Sequence, residues 1–595
     1  MRVCLLAFPL SFVAALGAGA QEVRIERCEP TSIRAKSSNE IKLFGRGLDK
    51  AALWCSFPAE VEQLDGGNAP RYRITTDFVG TGAIRAHTER GISDVFFLTS
   101  HDADDHVVTC QKRTRPDEAQ KIELPVVLTG SSVQQGASFY RFDAKGGQTI
   151  AVHAKAVGSA FDGVLTVRSA SNGKRLKFAD DSEVYGADPW LQFVPPVDGG
   201  YLIELIDSQY RGGLPFQLRV GDTAPRASTV DADIPSHVES DDDPFVLTLP
   251  ATVYGKFDAK GDRDEFRFTV SGSAFLTITP TARAIGSPAL PRLKMADANG
   301  KTLAETPADA FEERRLRYRF TEEVDCVLTI EDAFGQFGDG HAYRLELRTD
   351  EAPFELTIPR QGDKKKPLQD QFLATPGGQF VVPVQCKRHQ FDDAIALRVE
   401  SDDVACVPKN AEVEAKQGNV NLRVRLRESP AVGELVSFRV SGVATVGDHQ
   451  YQESLRTREV LAERNSGVSV PDAIDGLLAV RVIESPLRME ISPPDEITAG
   501  GDARNVPVKL VWKDEKRKFN TTLRIVGVPQ GVKTSEKKLN AKDTTTGLEL
   551  KLDKGFEGQL DGLRVEITLD YYKQPLLVQS KPFTIPILKP DDKSK

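Results

Sequence analysis

The sequence of 595 residues has few of the side chains that most often build metal centres, redox sites and nucleophilic active sites. It contains 7 cysteines, 8 histidines, 3 tryptophans and 3 methionines. No two cysteines have the Cys-x-x-Cys spacing, which excludes a zinc ribbon and a thioredoxin-type redox motif. The patterns His-Glu-x-x-His and Gly-x-Ser-x-Gly are also missing, so the sequence predicts neither a zincin site nor the nucleophile elbow of an α/β-hydrolase. We therefore expect a protein that is not an enzyme.

Long apolar runs are missing after the first residues of the chain. The run from Val3 to Leu16 follows Arg2 and precedes Ala18-Gly19-Ala20, which is typical of a signal peptide cleaved after Ala20. An N-terminal membrane anchor is the alternative, but the run is shorter than the roughly 18 apolar residues that a span needs. We expect an exported protein without a membrane span, located in the periplasm, at the cell surface or outside the cell.

Positive charge is in the minority, with 77 Lys and Arg against 86 Asp and Glu and a net charge of −9. No long basic stripe stands out against this balance. The charge therefore argues against nucleic acid and against an anionic membrane surface as the main partner. An exported protein or a polysaccharide remains as the expected partner, and the oligomeric state is left open.

Cysteine is too sparse for a disulfide scaffold, even in an exported compartment. Six cysteines follow the predicted cleavage site: Cys28, Cys55, Cys110, Cys326, Cys386 and Cys406. The last two flank a predicted pair of strands. They form either a disulfide or two small buried thiols.

Short β-strands are predicted along almost the whole chain. Runs such as Tyr201-Leu202-Ile203-Glu204-Leu205 and Phe266-Arg267-Phe268-Thr269-Val270 alternate with a period of two, and turn clusters such as Asp198-Gly199-Gly200 separate them. The 35 prolines and 47 glycines leave little room for long helices. A chain of this length is too long for one core. The sequence therefore predicts an all-β protein of tandem β-sandwich modules.

Two segments repeat one outline and resemble a known family. Residues 125–221 contain Tyr140-Arg141-Phe142-Asp143 and close on Asp207-Ser208-Gln209-Tyr210-Arg211-Gly212-Gly213, while residues 248–350 contain Gly261-Asp262-Arg263-Asp264-Glu265-Phe266 and Glu331-Asp332-Ala333-Phe334-Gly335. Both resemble the bacterial pre-peptidase C-terminal (PPC) domain, a jelly-roll-like β-sandwich that often follows secreted peptidases. The resemblance implies two sandwiches of about eight strands each.

The remaining parts resemble immunoglobulin-like domains. Glu40-Ile41-Lys42-Leu43-Phe44-Gly45 in residues 21–100 is similar to a strand of the IPT/TIG fold, and two immunoglobulin-like domains are predicted towards the C-terminus. The complete predicted division is 1–20 signal peptide, 21–100 IPT/TIG-like domain, 101–124 linker, 125–221 first PPC-like sandwich, 222–247 acidic linker, 248–350 second PPC-like sandwich, 351–470 immunoglobulin-like domain, and 471–595 C-terminal immunoglobulin-like domain with a charged tail.

Closely spaced aspartates in the two PPC-like segments suggest structural calcium, because Ca²⁺ prefers six to eight oxygen ligands, which the loops of a β-sandwich can supply. Some PPC-type domains bind calcium, so the resemblance adds to this hypothesis. The alternative is that the aspartates cap their own turns. We expect no other cofactor. The candidate ligands are Asp180, Asp181 and Asp207 in the first segment and Asp262, Asp264 and Asp332 in the second.

Aromatic residues near predicted loops of the first PPC-like segment are candidates for ligand binding. Tyr185, Trp190 and Tyr210 each lie within two residues of an acidic or basic residue, which suits stacking against a sugar or contact with an extended peptide. The alternative for Trp190 is a core position.

The sequence as a whole predicts an exported, non-catalytic binding or scaffold protein. Its modules would engage polysaccharide, matrix or another exported protein. A second hypothesis is an accessory subunit that tethers or delivers a separately encoded secreted peptidase or other hydrolase. A third is an enzyme whose site lies in loops without a recognisable motif.

Overall fold

The computed structural model describes residues 23–89, 91–180, 188–221, 236–238, 245–282, 289–307, 313–338, 341–359, 370–408, 411–447, 449–464, 470, 474–513, 521–539, 543–572 and 574–588. Within these residues there are 49 strands, a 3-10 helix over Pro116–Glu118 and one α-helix, α1. The prediction of an all-β protein of tandem sandwiches is confirmed. The predicted signal peptide lies outside the described residues. Every helix that is described is too short and too polar to cross a membrane.

Module 1 (residues 23–101) is a sandwich of two sheets. One sheet has the order β1-β3-β6-β5 and the other has the order β2-β9-β7-β4, with β8 paired to β7. Ile41 and Leu43 of β3 face the core between the sheets, while Lys42 between them is exposed, as the period-two pattern predicts. The strands are β1 (Arg24–Glu29), β2 (Ser32–Arg34), β3 (Ser37–Arg46), β4 (Ala52–Cys55), β5 (Glu60–Asp65), β6 (Arg71–Thr76), β7 (Gly80–Thr88), β8 (Gly91–Ile92) and β9 (Phe96–His101).

Module 2 (residues 102–221) has two five-stranded sheets, β10-β12-β19-β14-β17 and β11-β13-β18-β15-β16. Its core contains Tyr140, Phe142 and Tyr201 from the second sheet and Phe193 and Phe216 from the first. The strands are β10 (Val107–Thr109), β11 (Gln120–Lys121), β12 (Val126–Ser131), β13 (Ser138–Ala144), β14 (Ile150–Ala156), β15 (Gly163–Ser169), β16 (Arg175–Ala179), β17 (Trp190–Phe193), β18 (Gly199–Asp207) and β19 (Pro215–Gly221).

Module 3 (residues 236–348) repeats the strand order of module 2, as β20-β22-β29-β24-β27 and β21-β23-β28-β25-β26. Even a register irregularity recurs, between Val167 and Arg168 in β15 and between Met295 and Ala296 in β25. The strands are β20 (Ser236–Val238), β21 (Phe245–Val246), β22 (Ala251–Lys256), β23 (Arg263–Val270), β24 (Ala274–Thr281), β25 (Pro291–Asp297), β26 (Thr302–Glu305), β27 (Leu316–Phe320), β28 (Val324–Asp332) and β29 (Ala342–Arg348).

The two predicted linkers contain strands, and this differs from the sequence-based division. Residues 101–124 supply β10 and β11, and residues 222–247 supply β20 and β21. Each of these strands pairs in parallel with the strand that starts the sandwich proper, for example Val107 with Val127. Their length of two or three residues is too short to show a period of two, so the charged residues around them dominated the sequence pattern.

Module 4 (residues 354–482) is built on a ten-stranded sheet of order β31-β39-β37-β38-β30-β32-β36-β34, with β33 bridging β35 and β37. The strands and the helix are β30 (Phe354–Thr357), β31 (Gln371–Ala374), β32 (Gln379–Arg388), β33 (Ile395–Glu400), β34 (Val404–Cys406), β35 (Glu412–Val413), β36 (Asn419–Leu426), β37 (Leu435–Val446), β38 (His449–Arg456), α1 (Arg458–Arg464) and β39 (Leu478–Val482).

Module 5 (residues 487–588) has two four-stranded sheets, β40-β42-β46-β44 and β45-β43-β47-β48, and a two-stranded pair of β41 and β49. Its strands are β40 (Leu487–Ile491), β41 (Ile497–Thr498), β42 (Arg504–Trp512), β43 (Thr521–Val526), β44 (Val532–Thr534), β45 (Glu536–Leu539), β46 (Thr545–Leu552), β47 (Arg564–Tyr571), β48 (Gln574–Gln579) and β49 (Ile587–Leu588).

The disulfide alternative for Cys386 and Cys406 is wrong in this structure, and both thiols are free. Cys386 lies on β32 and Cys406 on β34, and β36 lies between these two strands. Strands separated by one strand are about 9.6 Å apart, whereas a disulfide needs Cα atoms roughly 4.4–6.8 Å apart. Cys386 is a buried free thiol, as the other alternative predicted, and Cys406 is a partly buried one.

Module 4 contacts modules 1, 3 and 5. Phe97 of module 1 and Phe275 of module 3 belong to the buried hydrophobic cluster of module 4, and Leu373 of module 4 belongs to that of module 5. The Tyr451 hydroxyl of module 4 accepts a hydrogen bond from the Phe275 amide at 3.1 Å. These contacts join residues that are far apart in sequence, so the modules do more than follow one another along the chain.

Modules 2 and 3 each use the outward face of the same sheet to contact an immediate neighbour. In module 2, Gln217 on the outward side of β19 donates a hydrogen bond to His101 of module 1 at 3.2 Å. Gly158 lies against Phe97 of module 1, at φ +54°, and a Cβ at this position would come within 2.4 Å of the ring. In module 3, Phe275 on β24 points away from its own core into module 4.

Candidate functional site

Asp207, a predicted calcium ligand, is fully buried at the end of β18 and caps the loop that follows. Its carboxylate accepts hydrogen bonds from the backbone amides of Asp162 at 3.1 Å and Arg211 at 2.9 Å, and it pairs with the Arg211 guanidinium at 2.9 Å. Burial raises the pKa of Asp207, but the hydrogen bonds from Arg211 outweigh this effect and hold the pKa below its usual value. Its oxygens are thus occupied by the protein itself.

Asp332 occupies the same position in module 3, at the end of β28. Its carboxylate accepts hydrogen bonds from the amides of Leu290 at 2.8 Å, Phe334 at 2.9 Å and Gln336 at 2.8 Å. The last two donors are two and four residues after the aspartate, as Gln209 and Arg211 are after Asp207. The repeated aspartate is therefore a loop cap that both modules share.

The other predicted calcium ligands are not brought together. Asp264 accepts a hydrogen bond from the Tyr343 hydroxyl at 2.6 Å, and Asp262 accepts one from the Asp258 amide at 2.7 Å. Asp180 is exposed after β16, and Asp181 lies outside the described residues. Nowhere in the described part of the chain do three or more His, Cys, Asp or Glu side chains form a group that could hold a metal ion. Asp207, Asp262 and Asp332 instead accept hydrogen bonds from backbone amides of their own loops, which is the turn-capping alternative to calcium binding.

The predicted aromatic residues do not form one site. Trp190 is the first residue of β17 and is half-buried. Leu191 and Phe193 face the core, so Trp190 and Gln192, which alternate with them along the strand, face outward. The core alternative therefore does not describe Trp190. Tyr210 is 51% exposed in the loop capped by Asp207, with φ +56°. Tyr185 lies outside the described residues. No hydrogen bond or ring contact joins Trp190 to Tyr210, both of which are described.

A cleft of about 660 Å³ lies between modules 1 and 2. Module 1 contributes β2 and the turn before it, and module 2 contributes β10, the end of β12 and the segments next to them. Pro30, Ile33 and Val133 are among its apolar residues, while Arg34 and Lys112 are its cationic ones. Hydroxyl side chains are its most frequent polar groups, from Thr31, Ser32, Thr109, Thr129, Ser131 and Ser138.

Side-chain amides cap the two edge strands that border this cleft. Asn39 accepts a hydrogen bond from the Arg34 amide at 2.9 Å and donates one to the Arg34 carbonyl at 2.8 Å. Gln120 accepts one from the Gln111 amide at 2.7 Å and donates one to the Thr109 carbonyl at 3.1 Å. Each amide thus satisfies two backbone groups that an added strand would otherwise use. The cleft is better suited to side-chain recognition than to strand addition.

Burial holds two ionisable groups of the cleft, His101 and Cys110, in neutral forms, while Glu29, Arg34 and Lys112 are the charged side chains of its lining. His101 is buried, and burial lowers its pKa to about 4, although Asp105 opposes this shift and Arg219 and Arg34 reinforce it. Its Nδ1 lies 3.2 Å from the Gln217 amide nitrogen, which donates to it. These contacts place His101 in the interface between modules 1 and 2, and not in an exposed linker.

Cys110 is the thiol that lines the cleft. Burial raises its pKa to about 11, although the Tyr140 hydroxyl donates a hydrogen bond to the sulfur at 3.2 Å and opposes the shift. A thiol with this pKa is protonated at neutral pH and is a poor nucleophile. The chemistry of the cleft is therefore that of hydrogen bonding and not of covalent attack.

Sequence reasoning missed the cleft because residues 101–124 were assigned to a linker. A local signal was present in Val107-Val108-Thr109, a run of β-branched residues. The contribution of module 1 had no such signal, because Thr31 and Arg34 reach the cleft only through the packing of one module on another.

No family model and no curated protein matches this chain. Among solved structures, the chain is similar to the pre-peptidase C-terminal domain of a collagenase from Bacillus anthracis. The identity is 17%, the match covers 18% of this chain and 99% of that domain, and the TM-score is 0.16. A likeness at this level says nothing about activity. The fold is described as tandem β-sandwiches because of the strand order within the structure itself.

Proposed function

We propose that this protein is an exported, non-catalytic binding scaffold whose cleft between modules 1 and 2 binds a polysaccharide or a polar segment of matrix or of another exported protein. The observation that carries the proposal is the lining of the cleft by six hydroxyl side chains. Hydroxyl and amide groups exchange hydrogen bonds with sugar hydroxyls or peptide groups without the cost of burying a charge. The volume lies within the roughly 300–1,000 Å³ range of ligand pockets.

The contacts between modules support the scaffold part of this proposal. The hydrogen bonds from Gln217 to His101 and from Arg34 to the Ala103 carbonyl hold the two walls of the cleft together. Walls that are already in place reduce the conformational entropy lost on binding.

An accessory subunit for a separately encoded peptidase or other hydrolase is the second candidate function. Exposed phenylalanines on module 3 favour it, because aromatic side chains are enriched in the cores of protein interfaces.

The proposed binding site is tested by placing a large side chain in the cleft. Residues 21–595 of the wild type and of Thr109→Trp are applied to an array of bacterial and matrix polysaccharides, with Ser171→Trp, in an exposed turn of module 2, as the control. We expect binding of at least one polysaccharide that becomes about tenfold weaker or more in Thr109→Trp and stays unchanged in the control. Binding that is equal in all three proteins, or absent in the wild type, would contradict the polysaccharide proposal. Melting temperatures establish that the variants are folded.

A further inference from the structure

The repeated architecture of modules 2 and 3 gives an internal comparison, because each position of one has a counterpart in the other. Four large apolar side chains are exposed at one corner of module 3: Val238 at 75%, Tyr254 at 42%, Phe334 at 65% and Phe337 at 47%. These four residues form the apolar corner of module 3. Single exposed apolar residues are ordinary on protein surfaces, but a group of four is not.

The counterparts of the apolar corner in module 2 are polar or small. In module 3, Val238 of β20 pairs with Tyr254 of β22. The equivalent pair in module 2 is Thr109 of β10 with Thr129 of β12. Phe334 and Phe337 follow the capping aspartate by two and five residues, where module 2 has Gln209 and Gly212. The fold therefore does not require apolar side chains at these positions.

The structure places all four residues at the same end of module 3. Val238 and Tyr254 are neighbours on the parallel strands β20 and β22, which are about 4.8 Å apart. The loop that carries the two phenylalanines is fixed to the end of β22, because the Gly338 amide donates to the Phe257 carbonyl at 2.8 Å and the Phe257 amide donates to the His341 carbonyl at 3.0 Å.

The loop is held in shape before any partner binds. The buried carboxylate of Asp332 accepts hydrogen bonds from the amides of Phe334 and Gln336, and Gly335 adopts φ +64° between them. Apolar side chains on a preformed loop lose little entropy on binding, which favours their use as anchors.

Three ion pairs lie beside the apolar corner. Lys256 lies 3.9 Å from Asp258, Arg344 lies 3.1 Å from Glu346, and Arg263 lies 2.6 Å from Glu331. Binding to an anionic membrane or to nucleic acid needs an excess of Lys and Arg. The rim therefore fits an uncharged partner surface.

The size of the apolar corner argues against a dimer of this chain. A stable dimer buries about 800 Å² per partner, whereas four partly exposed side chains offer on the order of 400 Å². A short apolar segment fits this area better than a second copy.

We propose that the apolar corner is a docking surface for a short, uncharged segment of another protein that carries large apolar side chains. This inference rests on the proposed scaffold function and names a second ligand class for it, separate from the cleft between modules 1 and 2. The partner segment places its apolar side chains against Phe334 and Phe337 and its polar backbone over the paired charges of the rim.

The test uses phage-displayed random short peptides selected on immobilised residues 21–595. Selected peptides are synthesised, and their affinities are measured for the wild type, for the double variant Phe334→Ser/Phe337→Ser and for Tyr210→Ser. Tyr210 is the matched control, since it is an exposed aromatic on the counterpart loop. We expect peptides rich in Leu, Phe and Trp whose Kd rises about tenfold or more in the double variant and stays unchanged in Tyr210→Ser.

Four results would overturn the proposal: no selected peptide, equal binding to the double variant, phosphatidylcholine vesicle binding that the double variant loses, or dimerisation in the ultracentrifuge that the double variant loses. Polysaccharide binding by the double variant separates the two proposals, because it depends on the cleft and not on the apolar corner.

Discussion

Two buried ion pairs join different modules of the chain. Arg85 of module 1 and Asp370 of module 4 are 2% and 0% exposed, and the Arg85 guanidinium donates to the Asp370 carboxylate and to the Ser93 carbonyl. The carboxylate of Glu566 in module 5 accepts from Arg423 of module 4 at 2.7 Å and from Arg524 at 2.8 Å. A charge in such a position depends on its partner, because water cannot replace it.

The first prediction concerns Asp370. Replacing it with Ala leaves Arg85 buried without its carboxylate, so we expect the free energy of unfolding to fall by about 3–5 kcal/mol in urea denaturation. The control is Asp553→Ala, which removes an exposed pair with Lys533 and is expected to cost less than about 1 kcal/mol. Equal effects of the two substitutions would contradict the structural role of the buried pair.

The second prediction concerns the charge of Glu566. Burial raises its pKa, but hydrogen bonds from Arg423, Arg524 and Gln579 outweigh burial and lower the pKa to about 2 from 4.5. A carboxyl with a depressed pKa stabilises the fold above pH 4.5 and loses this contribution as the pH falls towards 2. Wild type should therefore be more stable than Glu566→Gln at pH 7, and the difference should shrink between pH 4.5 and pH 2. A difference that does not depend on pH would refute this assignment.

At the scale of the element, regular strands were predictable and very short ones were not. In β23, buried and exposed residues alternate along the whole of Arg263–Val270, and the sequence alone predicts that strand. In β11, Gln120–Lys121 has no apolar residue, and it is a strand only because it pairs with Tyr140 and Arg141 of β13. Of the candidate site residues, Asp207 and Asp332 were identified correctly as repeated features, but their function as caps required the positions of the amides around them.

The third prediction concerns the loop between β28 and β29. Asp332→Ala removes the acceptor of three backbone amides, so we expect a loss of about 2–3 kcal/mol and faster hydrogen exchange at Phe334 and Gln336. Asp297→Ala is the control, because Asp297 caps only an exposed turn, through the amides of Asn299 and Lys301 at 2.9 Å. Unchanged exchange at Phe334 in Asp332→Ala would show that the loop does not depend on this carboxylate.

At the scale of the whole molecule, the arrangement of the modules could not be predicted from the sequence. Phe275 and Tyr451 are 176 residues apart and meet at an interface of two modules. Composition and periodicity report which residues are buried, but a residue buried between modules has the same pattern as one buried within a module.

The fourth prediction is a loss of stability in weak acid. Burial lowers the pKa of His101 and of His87 to about 4 from 6.5, and the positive charge of Arg481 adds to the shift of His87. Between pH 6.5 and pH 4 the unfolded chain binds more protons than the folded one, so stability rises with pH across this window and falls on acidification. Both histidines lie at contacts of module 1, so we expect module 1 to separate first.

The measurement is the melting temperature at pH 7 and at pH 4.5. His101→Gln should show a smaller drop than the wild type, and His106→Gln, which changes an exposed histidine, should behave like the wild type. The same drop in His101→Gln as in the wild type would contradict the assignment.

The contact of module 1 with module 4 also determines how the chain bears mechanical force. Residue 23 lies in module 1 and residue 588 in module 5, and the path between them through Arg85, Asp370 and the contact of modules 4 and 5 does not pass through modules 2 and 3. Tension applied at the two ends is therefore carried by these contacts first. We expect modules 2 and 3 to stay unloaded until the contact of modules 1 and 4, which includes the bond between Arg85 and Asp370 and the packing of Phe97, breaks and releases them as extra length.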